Sequence, residues 1–169
     1  MNMAQEKGFS LVELLIVVAI ILIIAAIAIP SMLKARAAAN QASAVGSLRT
    51  LNTAEVTYAS TYNTGYSFTL AALGGTGVAT ITNAELIDSI LAAGTKSNYN
   101  FYYVACPAAP GPNAGGMANG ACTLVLYYQV SANPVGGMGT GNFYFTDPSG
   151  VIRQNTTALA GPGDAPLAG

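Results

Sequence analysis

The chain has 169 residues, a length that suits one domain of about 100–200 residues. Only 8% of them are charged, where a soluble globular domain has about 25%, and one compact apolar block excludes a collagen-like or disordered chain. Six Lys and Arg against seven Asp and Glu, for a net charge of −1, build no large phosphate-neutralising patch, so nucleic acid is not an expected partner, and the absence of His removes the commonest general base and metal ligand.

Residues 1–8 carry Glu6 and Lys7 and end on Gly8. Residues 9–29 then form the apolar block, with a single charge, Glu13, and one other polar side chain, Ser10. As a helix this block spans roughly 31 Å, close to the roughly 30 Å hydrocarbon thickness of a bilayer. No small-residue cleavage site follows a short apolar core, so it does not read as an ordinary secretory signal peptide. A single-pass anchor accounts for the length but has no use for Glu13. A carboxylate near the centre of a membrane helix costs about 2.5–3.5 kcal/mol. One turn from the start the cost is lower, and an acid there suits the helix dipole. Snorkelling to the headgroups is the plain alternative; an intramembrane ionisable group is otherwise a functional candidate.

The run Lys7-Gly8-Phe9-Ser10-Leu11-Val12-Glu13-Leu14-Leu15 resembles the prepilin processing signature of type IV pilins and type II secretion pseudopilins. The stretch Ile16–Pro30 is similar to their assembly helix, and the likeness extends over residues 7–62. The resemblance implies that 1–8 is a leader peptide, cut between Gly8 and Phe9 by a membrane prepilin peptidase that also methylates the new amino group of Phe9. It further implies that Glu13 meets the N-terminal amine of a neighbouring subunit as a helical filament grows from an inner-membrane assembly platform. The residues suit that chemistry. Cutting after Gly8 leaves a cationic amine four residues before Glu13 on one helical face. In lipid each charge is costly alone and much less so when paired. A contact that forms only between processed subunits would set axial register and keep uncut precursor out of the polymer. Leu22 stands where many members of the family have Gly. Lys34 and Arg36 against Lys7 do not favour a cytoplasmic N-terminus, so orientation rests on the resemblance.

Pro30 is expected to kink or weaken the helix by removing one hydrogen bond. Residues 31–62 hold no Pro and one Gly, Gly46, and predict that the helix continues. Ala44, Leu48, Leu51, Tyr58 and Tyr62 share one face, interrupted by Glu55, and predict a seat for a β-sheet. Asn63-Thr64-Gly65 is the stop signal. A helix over residues 9–62 would reach about 80 Å, a length that suits a fibre subunit.

Residues 63–169 form the head. Leu70–Leu73, ending at Gly74-Gly75, reads as a short helical turn. Thr82 with Glu85 reads as a capping box that opens a helix through Leu91–Ala93, closed by Gly94. Strand alternation follows at Tyr99, Phe101, Tyr103 and Ala105, at Leu124, Leu126, Tyr128 and Val130, and at Phe143 and Phe145. Asp147-Pro148-Ser149-Gly150 is a turn joining Phe143–Thr146 to Val151–Gln154. The tail from Gly161 reads as irregular. The fold class expected is α+β: a long N-terminal helix, transmembrane over 9–29, packed on a small antiparallel meander of three or four strands, as in the pilin fold.

Cys106 and Cys122 stand at the edges of predicted strands, around a loop rich in Pro and Gly. Outside the cytoplasm such a pair oxidises, closing the loop is worth about 3 kcal/mol, and the family resemblance favours the disulfide. Two small buried thiols are the alternative. Zinc is not expected, since two thiols without His or a carboxylate cluster do not complete four ligands. The Gly-rich run Gly136–Gly141 lacks the Lys-Ser/Thr of a phosphate cradle, and Asp147 and Asp164 are isolated acids. The recurring aromatics are explained by strand packing more simply than by electron conduction. The function expected is a structural subunit of a type IV pilus, with no cofactor, metal or catalytic site. It would be an inner-membrane precursor first and cell-surface filament later. The alternatives are a pseudopilin or minor pilin of a short periplasmic assembly, a membrane-anchored binding module that never polymerises, and an anchored enzyme, disfavoured by the missing His.

Overall fold

Residues 8–106, 124–136 and 141–167 are described by the structure, a computed structural model. The first helix, α1, runs Leu11–Tyr62, 52 residues with Pro30 inside it. The chain divides into two units, one ending at Ala37 and one beginning at Ala38. In the first unit α1 is apolar on every side from Leu14 to Leu33, and its large apolar side chains from Leu11 to Leu33 are exposed. By length and composition this helix is able to cross a membrane. Helical backbone continues through Pro30, whose missing N–H removes one ladder bond.

In the second unit α1 becomes one-sided. Ala44, Leu48, Leu51 and Tyr58 are buried at spacings of three, four and seven residues, with Glu55 buried among them. Fully burying a side chain of this size contributes about 1.5–3 kcal/mol. The helix ends where Asn63 and Gly65 take left-handed backbone, φ 53° and 76°.

The sheet is an antiparallel meander in the order β1-β2-β3-β4-β5. Its strands are β1 Thr95–Lys96, β2 Tyr99–Ala105, β3 Tyr128–Pro134, β4 Phe143–Thr146 and β5 Arg153–Asn155. There are five strands where three or four are expected. The additional strand is the two-residue β1, joined to β2 through Ser97 and Asn98, both at positive φ, as a tight hairpin turn requires. Tyr103 faces Val130 and Phe101 faces Ala132 across the β2–β3 pair, and Ala132 faces Tyr144 across β3–β4. Those residues join the core under α1. Phe143 and Phe145 point the other way and pack with Leu159 and Ala160. Thus β4, buried at all four positions, is covered on both faces.

Two expected elements begin later than their sequence patterns indicate. The helix expected from Thr82 is confined to α3, Ser89–Ala92, with Asp88 as its N-cap. Thr80 and Asn83 instead close a tight turn on each other, and Glu85 takes φ 55°. The amides of Ala84, Glu85, Leu86 and Ile87 are taken by the carbonyls of Ala72, Leu73 and Gly74 at the end of α2 (Leu70–Leu73), so they cannot bond within a helix. Likewise the strand expected from Leu124 begins at Tyr128. Leu124 and Leu126 are exposed while Val125 is completely buried, because Val125 bridges to Gly65 and its carbonyl accepts Tyr66 N–H at 2.8 Å. The tail read as irregular pairs with β5: Leu167 N–H donates to Ile152 O and Gln154 N–H to Ala165 O.

Candidate functional site

The residues singled out for processing sit at the start of α1. Gly8, Phe9 and Ser10 are exposed and lie outside the helix, which begins at Leu11. Among the described residues nothing stands within 4 Å of where a Cβ on Gly8 would be, so none of them requires glycine there. Ser10 is the N-cap: its carbonyl accepts Leu14 N–H at 3.2 Å, and its own N–H donates to Glu13 Oε2 at 3.0 Å. That is the return arm of a capping box, Ser10-Leu11-Val12-Glu13. The Ser-x-x-Glu spacing carries the signal for this local role in the sequence itself. Glu13 therefore satisfies one orphan donor of the first turn and keeps acceptor capacity for another donor.

Pro30 lies well along α1, more than four turns beyond Glu13. Cys106 closes β2 with φ 51°, its N–H donating to Tyr127 O at 2.9 Å; Cys122 lies outside the described residues. Part of the Gly136–Gly141 run also lies outside them. Among the described residues no group of three or more His, Cys, Asp or Glu is placed to hold a metal ion. A groove of about 400 Å³ beside β2, lined by Leu70, Ala93, Phe101 and Tyr102 among others, has no carboxylate or cationic side chain in its wall among the described residues.

A second polar constellation centres on Glu55, which in the sequence reads only as a break in the apolar stripe. It is completely buried. Its Oε2 accepts Ser67 N–H at 2.9 Å and its Oε1 accepts Ser67 Oγ–H at 2.6 Å. Tyr103 Oη donates to Ser67 O at 2.7 Å. Burial pushes the Glu55 carboxyl above its ordinary value, while hydrogen bonds from Ser67 and, less strongly, Tyr103 pull it back. Burial likewise pushes the Tyr103 and Tyr128 hydroxyls up, with Glu55 adding to the effect on both, and Tyr99 is pushed up to about 12. A neighbouring network centres on Asn52, whose Nδ2 donates to Thr146 Oγ1 at 2.8 Å and whose Oδ1 accepts Tyr128 O–H at 3.1 Å, tying α1 to β3 and β4.

Residues 3–29 match the model of the prokaryotic N-terminal methylation motif. The chain is 48% identical over 54 residues to the type IV major pilin protein PilA of Myxococcus xanthus, covering 32% of this chain and 24% of that one. It is 60% identical over 38 residues to the type IV wide pilus major component PilA4 of Thermus thermophilus, covering 22% of this chain and 29% of that one. The likeness thus spans about a quarter of the length of each relative. No solved structure matches. The chain carries the prepilin methylation motif, and its named relatives are type IV pilins.

Proposed function

We propose that this chain is a prepilin: a precursor held in the inner membrane by residues 9–29, cut between Gly8 and Phe9, methylated at Phe9 and polymerised through its N-terminal helix into a type IV pilus. The observation that carries this reading is the position of the methylation motif. Its Gly8–Phe9 bond lies in exposed, non-helical chain directly ahead of a helix whose apolar first part has no cover of its own. A protease needs extended, accessible chain, and the open space around Gly8 among the described residues supports a demand for glycine made by the enzyme that reads the bond. The partners are then a prepilin peptidase that also methylates, an inner-membrane assembly platform, and further copies of the chain.

Glu13 is the assembly carboxylate in this reading. It already accepts Ser10 N–H, and the amine of a neighbouring processed Phe9 would occupy its remaining lone pairs, converting an isolated charge in lipid into a pair. Contacts that repeat head to tail without closing generate a helical fibre. Pro30 leaves one weak point in the ladder of the packed helix. Residues 63–169 form the head exposed along the fibre, with Cys106 joined to Cys122 as its disulfide.

The test is intact mass with N-terminal peptide mapping, on material sheared from the cell surface and on the membrane fraction. Expected in the sheared fibres is a chain that begins at methylated Phe9, with Cys106 linked to Cys122. Processed chain confined to the membrane or periplasm would point to a pseudopilin or minor pilin instead. Retention of residues 1–8 everywhere, in a host with active prepilin peptidase, would overturn the reading in favour of an anchor.

A further inference from the structure

Glu55 lies between Leu51 and Tyr58 on the buried side of α1. No Lys or Arg of the described residues acts on it. The titratable groups that face it are tyrosines: Tyr58 from α1, Tyr103 from β2 and Tyr128 from β3, with the Ser67 hydroxyl facing it from the turn after α1. A buried carboxylate without a cation depends on hydrogen-bond donors, and here they run short. Ser67 Oγ has one proton and three acceptors within reach, Glu55 Oε1 at 2.6 Å, Tyr103 Oη at 3.1 Å and Thr69 O at 3.2 Å. Tyr103 Oη, the next hydroxyl, has one proton for two acceptors, Ser67 O at 2.7 Å and the Glu55 carboxylate.

One added proton removes the shortage. With Oε1 protonated, Glu55 donates to Ser67 Oγ, Ser67 donates to Thr69 O, Tyr103 donates to Ser67 O, and Ser67 N–H stays on Oε2. Thr69 O, which already accepts Ala72 N–H at 3.1 Å, then holds the Ser67 hydroxyl as a second donor. Thr69 is the N-cap of α2, its Oγ1 accepting Ala72 N–H at 3.2 Å, so the chain of bonds runs from α1 through the turn to α2 and β2.

We propose that Glu55 is a protonation switch in the head: as the neutral acid it locks the turn after α1 to the start of α2, and on ionisation it releases the Thr69 arm and weakens the fold. This rests on the geometry around Glu55 and not on the pilin reading. The direction of its titration agrees, since burial dominates. For a group whose folded value lies above its unfolded one, the added stability is complete below the ordinary 4.5 and is lost as pH rises through the folded value. Asp88, held below its ordinary 3.8 by Lys96 and by Leu91 N–H, acts with the opposite sign and at lower pH, outside that window.

The experiment is denaturant unfolding of the detergent-solubilised full chain between about pH 5 and pH 8, for wild type and Glu55→Gln. Wild type is expected to lose stability across this range, by tenfold in the unfolding equilibrium for each unit of upward shift. The Gln variant keeps an acceptor for Ser67 N–H and supplies a permanent donor to Ser67 Oγ. It is expected to lack that decline and to exceed wild type at pH 8. Parallel profiles for the two proteins would overturn the switch. Should the variant fail to fold, the carboxyl 13C shift of Glu55 in wild type decides the matter. A titration midpoint above 4.5 is expected, and one at or below 4.5 would sink the proposal.

Discussion

Gly65 meets two constraints at once. Its φ of 76° is a conformation that side chains with a Cβ resist, and a Cβ there would run into the carbonyl oxygen of Val125. That carbonyl is the acceptor of Tyr66 N–H, so the collision also opens the bridge between the turn and the segment before β3. Gly65→Ala is expected to lower stability by about 2 kcal/mol, read as a shift in the denaturant midpoint; a wild-type midpoint would mean the turn is not pinned to Val125. Gly8 is the contrast, with no steric demand from the described residues. Gly8→Leu should therefore leave folding alone and strand full-length precursor in the membrane, visible as a heavier band; efficient maturation would refute the proposed cut. At Glu13, Gln retains an acceptor for Ser10 N–H and Val does not, so loss of the cap, worth about 1 kcal/mol, belongs to Val alone. Both variants are expected to be cut and methylated, and neither to build normal filaments, because the amine needs a charge. Normal filaments from Glu13→Gln would reduce Glu13 to a helix cap.

At the scale of elements, α3 shows what one cap contributes. Asp88 Oδ1 accepts Leu91 N–H at 2.9 Å and Oδ2 pairs with Lys96 Nζ at 2.7 Å. With half its surface in water the ion pair adds little, so Asp88→Ala is expected to cost about 1 kcal/mol, mostly the cap. Its unfolding midpoint should also become less sensitive to acid, since the depressed carboxyl stabilises the fold above its ordinary 3.8 and loses that effect as pH falls through the folded value. A loss well beyond this, with the same acid sensitivity, would mean that the side chain has a packing role. Elements with strong local rules were legible in the sequence: the buried stripe of α1, its stop at Asn63–Gly65, the alternation of β2, and the turn at Asp147–Gly150, where Gly150 N–H donates to Asp147 O at 2.9 Å. What misled was non-local. The Thr82–Glu85 spacing fits a capping box, yet its amides are claimed by α2. Leu124 and Leu126 alternate with Tyr128, yet Val125 is the buried residue because Gly65 lies beside it. Glu55 reads as a flaw in an apolar face until Ser67, twelve residues on, is placed against it. The processing motif was plain for the opposite reason, since all its residues are contiguous.

For the whole molecule the decisive contrast is between a unit without a core and one that has its own. Among the described residues up to Ala37 the large apolar side chains are exposed and none belongs to either core cluster. From Ala38 onward, Ala44, Leu48, Leu51 and Tyr58 belong to the same core as Tyr99, Phe101, Tyr128 and Val130, so the last part of α1 is integral to the head. The edge beyond β5 is paired with the tail, which limits edge-to-edge association. Removing the residues before Ala38 therefore removes apolar surface and no core. Residues 38–169 are expected to fold as a soluble monomer with the ordered tyrosine signal of the full chain in near-ultraviolet circular dichroism, while the full chain needs detergent or lipid. Sedimentation and that spectrum check it together. An aggregated or loosely packed product would show that residues ahead of Ala38 support the head, and the exposed part of α1 would then have a role in folding as well as in the membrane.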